Sequence, residues 1–279
     1  MKKCLFVITG DTFRIGGQRS TGKGGDESFK RQNLATDSHL RFFESIEKKF
    51  NIRCDVFLNI YKCNDEYDKQ LFDWYGDRVV QSKVHPGRLG SEFEMIYDTI
   101  GRLVNSEIDE YEFIMFIRPD WYLKKYFDEV FRPDPERVLY AHLDAGYRLV
   151  ENPTGFLDGG GRRRDVPHVC HCITYCPKKH YRWLLENRVW HWHDSLLRLE
   201  QHLPRTQFGF FIDTVHWCCS SLDWNPLYSL VGRDEHLEYK FPNISYDIET
   251  HTVHHVDTLE RYKDVLYTDT IEENLKSYG

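Results

Sequence analysis

The sequence predicts an α/β fold in which helices flank a mixed central sheet, in a Rossmann-like single domain. Up to residue 123, strand-like apolar stretches alternate with amphipathic, helix-like stretches, which is the pattern of a doubly wound sheet. Residues 113–117 are all apolar, as expected for a strand that is buried on both faces. With 279 residues, of which 41% are apolar, the chain is long enough for one large domain with a packed core.

The periodicity of apolar residues places the individual elements. Strands are predicted at 4–9, 54–61, 78–81, 112–117, 138–143 and 169–176. Helices are predicted at 28–50, 64–75, 91–106 and 178–203, and a charged helical tail from Asp257. A long glycine-rich loop at 10–28 separates the first strand from the first helix, and loops of this length inside a compact domain are usually functional or disordered.

Composition excludes several classes of protein. A net charge of -7 argues against a general nucleic-acid binder. No window approaches the roughly 20 apolar residues that a membrane helix requires. The apolar start at 4–9 is too short for a signal peptide, and several of the eight cysteines lie in apolar, strand-like stretches. We therefore expect a cytoplasmic protein with reduced, buried thiols.

The strand at 112–117 leads into a pair of opposite charges. Pro119 cannot donate to a sheet ladder, so the strand must end there. Arg118 and Asp120 then lie at the carboxyl edge of a central strand, where open α/β sheets bind their ligands. A cation and an anion at this edge suit a phosphate, a metal, or both. A purely structural Arg–Asp pair is the alternative.

The glycine-rich loop partly matches a phosphate-binding loop. Gly17 and Lys23 fit the start of G-x-x-x-x-G-K-[ST], but Gly24 stands where the magnesium-binding hydroxyl should be. A true phosphate loop also needs a strand, a tight loop and a helix in direct succession. Arg14, Arg19 and Lys23 could instead contact a diphosphate, or the loop could simply be solvated.

Two further clusters resemble metal sites. Cys170, Cys172 and Cys176 are spaced unlike the C-x-x-C pairs of structural zinc sites, and on a strand they share one face. The second cluster, at 251–257, contains three histidines and an aspartate. It is either a source of metal ligands or an ordinary polar strand or loop.

Three stretches together resemble the small GT-A-type glycosyltransferases. They are Phe-Val-Ile-Thr-Gly at 6–10 with Arg14 after it, Cys-Asp-Val-Phe-Leu at 54–58, and 113–123 with its Arg-Pro-Asp. In that group a strand ending in Arg-Pro-Asp stands where other members carry Asp-x-Asp. The chain is also similar in size and residue usage to the chlorovirus enzymes that build capsid glycans, including a xylosyltransferase. The resemblance covers 4–123 well and continues weakly at 193–199 and 225–233.

The resemblance implies a transfer of sugar from a nucleotide-sugar donor, a UDP-sugar such as UDP-xylose, to a hydroxyl of a glycan or glycoprotein. By resemblance, Thr9 and Gly10 line the base pocket and Arg14 lies near the phosphates. Asp120 holds Mn²⁺ or Mg²⁺, or the ribose and diphosphate. Because Arg118 replaces the first aspartate of the usual motif, metal dependence stays open, and an arginine there can substitute for part of the metal's charge.

Other roles also follow from the resemblance. A late histidine sometimes completes the metal shell in this fold, and His254 or His255 is the candidate. In inverting members a carboxylate deprotonates the acceptor hydroxyl, with Asp194 as first choice and Asp213 as second. For both carboxylates a helix N-cap or a plain surface position is the alternative.

On this interpretation the domain 1–279 has a nucleotide-donor half at 1–125, an acceptor half at 126–256 and a C-terminal helical tail at 257–279. If the chain is viral, it acts in the host cytoplasm. Two rival hypotheses remain open: a P-loop-like phosphotransferase or sulfotransferase, which requires Lys23 to contact phosphate, and a non-catalytic carbohydrate-binding module on the same fold.

Overall fold

The protein was analysed as a computed structural model. The structure describes residues 1–14, 23–87, 89, 92–104, 107–144, 156–157, 163–164, 168–170, 173–187, 196–216, 225–231, 244–247, 250 and 252–276.

Seven of the strands form one large sheet, and the others form small two- or three-stranded sheets. The strands are β1 Lys2–Asp11, β2 Ile52–Tyr61, β3 Val79–His85, β4 Tyr111–Ile117, β5 Trp121–Leu123, β6 Val138–Tyr140, β7 Leu143–Asp144, β8 Phe156–Leu157, β9 Arg163–Arg164, β10 His168–Val169, β11 Thr174–Pro177, β12 Phe208–Phe210, β13 Val215–His216, β14 Tyr228–Leu230, β15 Ile244–Asp247 and β16 Thr252–His255. The helices are α1 Asp26–Phe50, α2 Asp65–Tyr75, α3 Glu92–Val104, α4 Lys125–Val130, α5 Tyr181–Asn187, α6 Leu196–His202, α7 Thr258–Thr268 and α8 Ile271–Leu275. Single 3₁₀ turns lie at Gly76–Arg78, Ile108–Glu110, Lys178–His180 and Arg205–Gln207.

The large sheet has the order β12-β6-β11-β4-β1-β2-β3. Strands β3, β2, β1 and β4 are mutually parallel, whereas β11 runs antiparallel to both β4 and β6, and β12 is parallel to β6. The predicted α/β fold with a mixed central sheet and flanking helices is confirmed by this arrangement. The large sheet joins strands from both predicted halves of the chain.

The central strands are buried on both faces because helices cover both sides of the sheet. On β4, Phe113, Met115 and Ile117 face the cluster that includes the apolar side chains of α1. Ile114 and Phe116 face the opposite cluster, which includes apolar side chains of α3. This period-two alternation between two apolar layers is what the unbroken apolar run in the sequence predicted.

Two predicted strands are split between sheets. The predicted strand 138–143 is divided into β6 of the large sheet and β7 of a small sheet, with β13 and β10 as neighbours of β7. Likewise, the predicted strand 169–176 is divided between β10 and β11. Each break contains one histidine, His142 or His171, inside an otherwise apolar run. A single polar residue of this kind does not mark a change of sheet. Cys170 and Cys176 therefore do not share one strand face; Cys172 lies outside the described residues.

The helices up to residue 104 agree with the sequence, with one shift. Helix α4 was not predicted, and the predicted helix 178–203 is present as a 3₁₀ turn at Lys178–His180 followed by α5 and α6, with 188–195 outside the described residues. Helix α1 begins at Asp26, earlier than predicted, and ends where Asn51 adopts a left-handed conformation (φ 55°). The predicted helical tail is present as α7 and α8, and the Asp257 side chain caps α7 by accepting from Glu260 N. None of the described helices has the length and apolar content to cross a bilayer.

Candidate functional site

The Arg-Pro-Asp stretch forms a compact charged cluster at the sheet edge. Arg118 donates two hydrogen bonds to the Asp120 carboxylate through one edge of its guanidinium, Nε to Oδ1 at 2.9 Å and Nη2 to Oδ2 at 2.8 Å. Arg14 approaches from the loop after β1, with Nη1 3.5 Å from Asp120 Oδ2. The Asp120 side chain is 1% exposed, that of Arg14 6% and that of Arg118 13%. The buried Asp120 carboxylate is thus shared by the buried Arg14 and the partly buried Arg118, and these three side chains together carry one net positive charge.

Arg14 reaches this cluster because the chain turns sharply after β1. Phe13 has a left-handed backbone (φ 50°), which a bulky residue adopts only when its surroundings require it. Its ring is fully buried, with its centroid 4.9 Å from that of Tyr67 and 6.0 Å from that of Phe29. Aromatic packing therefore offsets the strained turn that directs Arg14 toward Asp120.

Gly10, at the end of β1, has a backbone conformation that favours glycine. Its φ of 130° is a conformation that L side chains rarely adopt, and a Cβ there would lie 3.5 Å from Pro119 Cδ. This glycine was predicted to line the base pocket. The structure places it beside the Arg-Pro-Asp turn, at the same sheet edge as the charged cluster.

Lys23 is held by interactions within the protein. Its ammonium lies 3.1 Å from Asp11 Oδ1 and 3.4 Å from the backbone oxygens of Tyr61 and Lys62. Helix α1 does begin soon after Lys23, but its first turn carries two acidic residues, which oppose an anion at that helix end. This geometry does not favour the phosphate-loop hypothesis.

Helix α1 and the β14 region hold the backbone that carries Asp120. Ser38 Oγ accepts from Leu123 N at 2.8 Å, and Arg41 donates to the Leu123 carbonyl. From the other side, Val231 N donates to the Asp120 carbonyl at 2.9 Å. The segment after β4 is therefore fixed by hydrogen bonds to two distant parts of the chain, which gives the cluster a rigid frame.

His39 on α1 contributes to the same frame and is fully buried. Its Nε2 lies 2.7 Å from the Trp121 carbonyl and its Nδ1 2.7 Å from Tyr75 Oη. A carbonyl only accepts, so Nε2 carries the proton and Nδ1 accepts from Tyr75. Burial lowers the pKa of His39 to about 4, so the imidazole is neutral near pH 7.

This histidine predicts a pH dependence of stability. Between the folded pKa of about 4 and an unfolded value near 6.5, protons bind the unfolded chain more strongly, so stability falls as pH drops through this window. Between pH 7 and pH 5 we expect the His39 contribution to the free energy of unfolding to fall by about 2 kcal/mol. Urea denaturation of wild type and His39→Gln at both pH values checks this. Equal pH slopes in the two proteins would contradict it.

A second polar cluster lies along the same sheet edge, on the α3 side. Asn59 Nδ2 donates to Thr99 Oγ1 at 2.6 Å, and Thr9 Oγ1 lies 3.3 Å from the same hydroxyl. His85 Nε2 is 2.9 Å from Asn59 Oδ1 and 3.3 Å from Asp98 Oδ2. Of these five residues, only Thr9 was predicted from the sequence. The one available signal was Asn59, a polar residue inside the otherwise apolar run 56–61.

The two predicted general bases are not placed at the cluster by any described contact. Asp194 falls within 188–195, outside the described residues. Asp213 is exposed, and its Oδ1 lies 3.0 Å from Arg261 Nη1 on α7. Asp213 therefore has the surface position that was given as the alternative to a general base. Its role as a general base stays a prediction.

The Asp120 carboxylate is engaged by guanidinium groups in this structure. Both carboxylate oxygens already accept from Arg118, and the Arg14 guanidinium lies beside one of them. His254 is exposed on β16, opposite Ser245 of β15. Among the described residues, no group of three His, Cys, Asp or Glu side chains is arranged to hold a metal ion. Metal binding by Asp120 and His254 therefore stays a prediction, and no step below depends on it.

Comparisons with known proteins leave the family open. No protein-family model matches the chain, and no curated protein matches it. Several solved structures are similar at low identity. One is 4-diphosphocytidyl-2C-methyl-D-erythritol synthase from Anaerococcus prevotii, with 9% identity over 79% of this chain and 91% of that one, and a TM-score of 0.44.

Two further solved structures have different activities. The inositol-1-phosphate CTP transferase from T. maritima is 12% identical over 97% of this chain and 98% of its own, with a TM-score of 0.40. A glycosyltransferase involved in glycosylation of the major capsid of PBCV-1 is 8% identical over 78% and 82%, with a TM-score of 0.33. Because all three TM-scores are below 0.5, we draw no conclusion about this chain from these similarities. The fold assignment rests on the observed sheet.

Proposed function

We propose that this protein is a glycosyltransferase that moves a sugar from a nucleotide-sugar donor to a hydroxyl of a glycan or glycoprotein. The observation that carries the proposal is the pair of guanidinium groups, the buried Arg14 and the partly buried Arg118, at the carboxyl edge of β1 and β4. Guanidinium groups match the geometry of phosphate oxygens and keep their charge when buried. A UDP-sugar, and UDP-xylose in particular, is the proposed donor, and the cytoplasm is the proposed compartment.

The diphosphate binds at the charged cluster in this proposal. When the sugar leaves, its bond to the diphosphate oxygen breaks and negative charge builds up on the phosphates. Arg14 and Arg118 stabilise that charge, while Asp120 orients both guanidinium groups. Fixed, largely desolvated donors of this kind are more effective than mobile surface lysines because they need no reorganisation during the reaction.

The nucleoside lies along the same edge, beside Thr9 and Gly10. The buried side chains of Asn59 and His85 supply a polar floor on the α3 side. The acceptor oxygen forms the new bond to the sugar, and a carboxylate, Asp194 or Asp213, takes its proton. If Mn²⁺ or Mg²⁺ is bound, Asp120 and His254 are its proposed ligands, and it would add positive charge beside the diphosphate.

Thermal-shift titration tests this proposal, using UDP, GDP, CMP and ATP, each with Mn²⁺ and with EDTA. A ligand at a hundredfold excess over its dissociation constant adds about 2.7 kcal/mol to stability, so even a modest binder raises the melting temperature. We expect UDP to stabilise the protein in EDTA as well as in Mn²⁺. A response to ATP alone, lost in Lys23→Ala, would instead favour a phosphotransferase. The absence of any nucleotide response would favour a carbohydrate-binding module.

A further inference from the structure

Gln32 is a buried side chain that links the two loops of the charged cluster. It lies in the second turn of α1 and is 1% exposed. Its Oε1 accepts from Phe13 N at 3.0 Å, and its Nε2 donates to the Pro119 carbonyl at 2.8 Å. One amide thus connects the loop after β1 with the loop after β4.

The two bonded backbone groups belong to the immediate neighbours of the charged residues. Phe13 directly precedes Arg14, and Pro119 stands between Arg118 and Asp120. The distance between the two loops sets the distance between the two guanidinium groups, which meet at one carboxylate. A change in the Gln32 bridge therefore changes the spacing of the two cations directly.

The bridge requires one donor and one acceptor at the same side-chain end. The backbone at Phe13 offers an N–H and the one at Pro119 a carbonyl, and both are buried. Only an amide, or a protonated carboxyl, presents a donor and an acceptor side by side at that reach. An apolar side chain of the same length would leave both backbone groups without this partner.

His39 repeats the arrangement two turns further along α1. Gln32 and His39 are seven residues apart, so they project from the same face of the helix. Gln32 holds the carbonyl before Asp120, and His39 holds the carbonyl of Trp121 after it. Helix α1 therefore holds the backbone on both sides of Asp120. Of Gln32 and His39, only Gln32 also bonds to the loop that carries Arg14.

We infer that Gln32 is a positioning residue, whose amide sets the spacing of Arg14 and Arg118 so that both contact the same diphosphate. The inference rests on the proposed function. It extends that function by assigning to α1 the geometry of the anion site. Gln32 itself does not contact the ligand; it acts through the two loops that it joins.

Inorganic pyrophosphate, titrated by calorimetry in EDTA, tests this role. Gln32→Met keeps the length and neutrality of the side chain but removes both hydrogen bonds. We expect its pyrophosphate dissociation constant to rise about tenfold, because small displacements of paired contacts weaken binding steeply. Gln201→Met, an exposed position on α6, is the matched control and should keep the wild-type value.

A second variant separates positioning from a general loss of packing. In Gln32→Glu the protonated carboxyl has the donor and acceptor of the native amide, whereas the ionised form lacks the donor to Pro119. Its affinity relative to wild type should therefore recover on going from pH 7.5 to pH 5.5. This variant also replaces Gln32→Met if that protein does not fold.

The possible outcomes distinguish a failure of this inference from a failure of the proposed function. If wild type binds no pyrophosphate, the proposed function fails and the inference fails with it. If wild type binds and Arg118→Met does not, but both Gln32 variants stay within twofold of wild type, only the inference is overturned. A loss in Gln32→Met together with acid recovery in Gln32→Glu supports it.

Discussion

Replacing Arg118 with Met is expected to weaken binding of the donor nucleotide about 100-fold. Arg118 makes two hydrogen bonds to Asp120, so its guanidinium is a fixed charged donor at the proposed diphosphate site. A hydrogen bond to a charged group contributes about 1.5–3 kcal/mol, which corresponds to roughly 10- to 150-fold in a dissociation constant. Calorimetric titration with UDP in EDTA measures the loss of affinity.

The chain offers a matched control at the opposite edge of the sheet. Arg53 and Asp55 near the start of β2 repeat the Arg-x-Asp spacing, with Nε to Oδ1 at 2.8 Å and a carboxylate that is 2% exposed. Arg53→Met removes the same type of contact but should leave UDP affinity unchanged. Equal losses in Arg53→Met and Arg118→Met would show that the effect is general destabilisation, and no loss in Arg118→Met would contradict the proposed site.

Replacing Asp120 with Asn is expected to lower the free energy of unfolding by about 3 kcal/mol. The substitution keeps the shape of the side chain but removes the charge that compensates the buried Arg14 and the partly buried Arg118. Breaking a buried ion pair by removing one partner costs about 3–5 kcal/mol, because the remaining charge stays desolvated. Guanidinium chloride denaturation measures this, with Asp55→Asn as the comparison at the other sheet edge.

The same variant separates two roles of Asp120. If Asp120 only orients the two arginines, two effects of Asp120→Asn oppose each other: the arginines are held less well, but removal of a negative charge favours the anion. Its affinity for pyrophosphate in EDTA should therefore stay within about threefold of wild type. If Asp120 holds a metal, the variant should lose any stimulation of UDP binding by Mn²⁺. A wild-type protein that binds UDP only with Mn²⁺, together with such a loss, would overturn the arginine-based proposal and restore the metal prediction.

Local sequence was sufficient for the main helices and strands as far as Ile117. The apolar run at 113–117 and the proline at 119 predicted a buried strand and its end, because both effects act within a few residues. Helical periodicity predicted α1 and α2 to within a few residues for the same reason. The split of 138–143 between two sheets was missed, since a strand's apolar pattern is the same whichever sheet receives it.

The sequence by itself determined the fold class and the charged turn after β4: strand–helix alternation, apolar runs and one proline are local features with local causes. Only the tertiary structure decided which side chains meet there. Arg14 reaches Asp120, Gln32 joins the two loops, and His85 reaches Asn59 because β1, β2, β3 and β4 lie side by side. The order of strands in a sheet depends on packing between residues far apart in the chain, and no periodicity along the sequence encodes it.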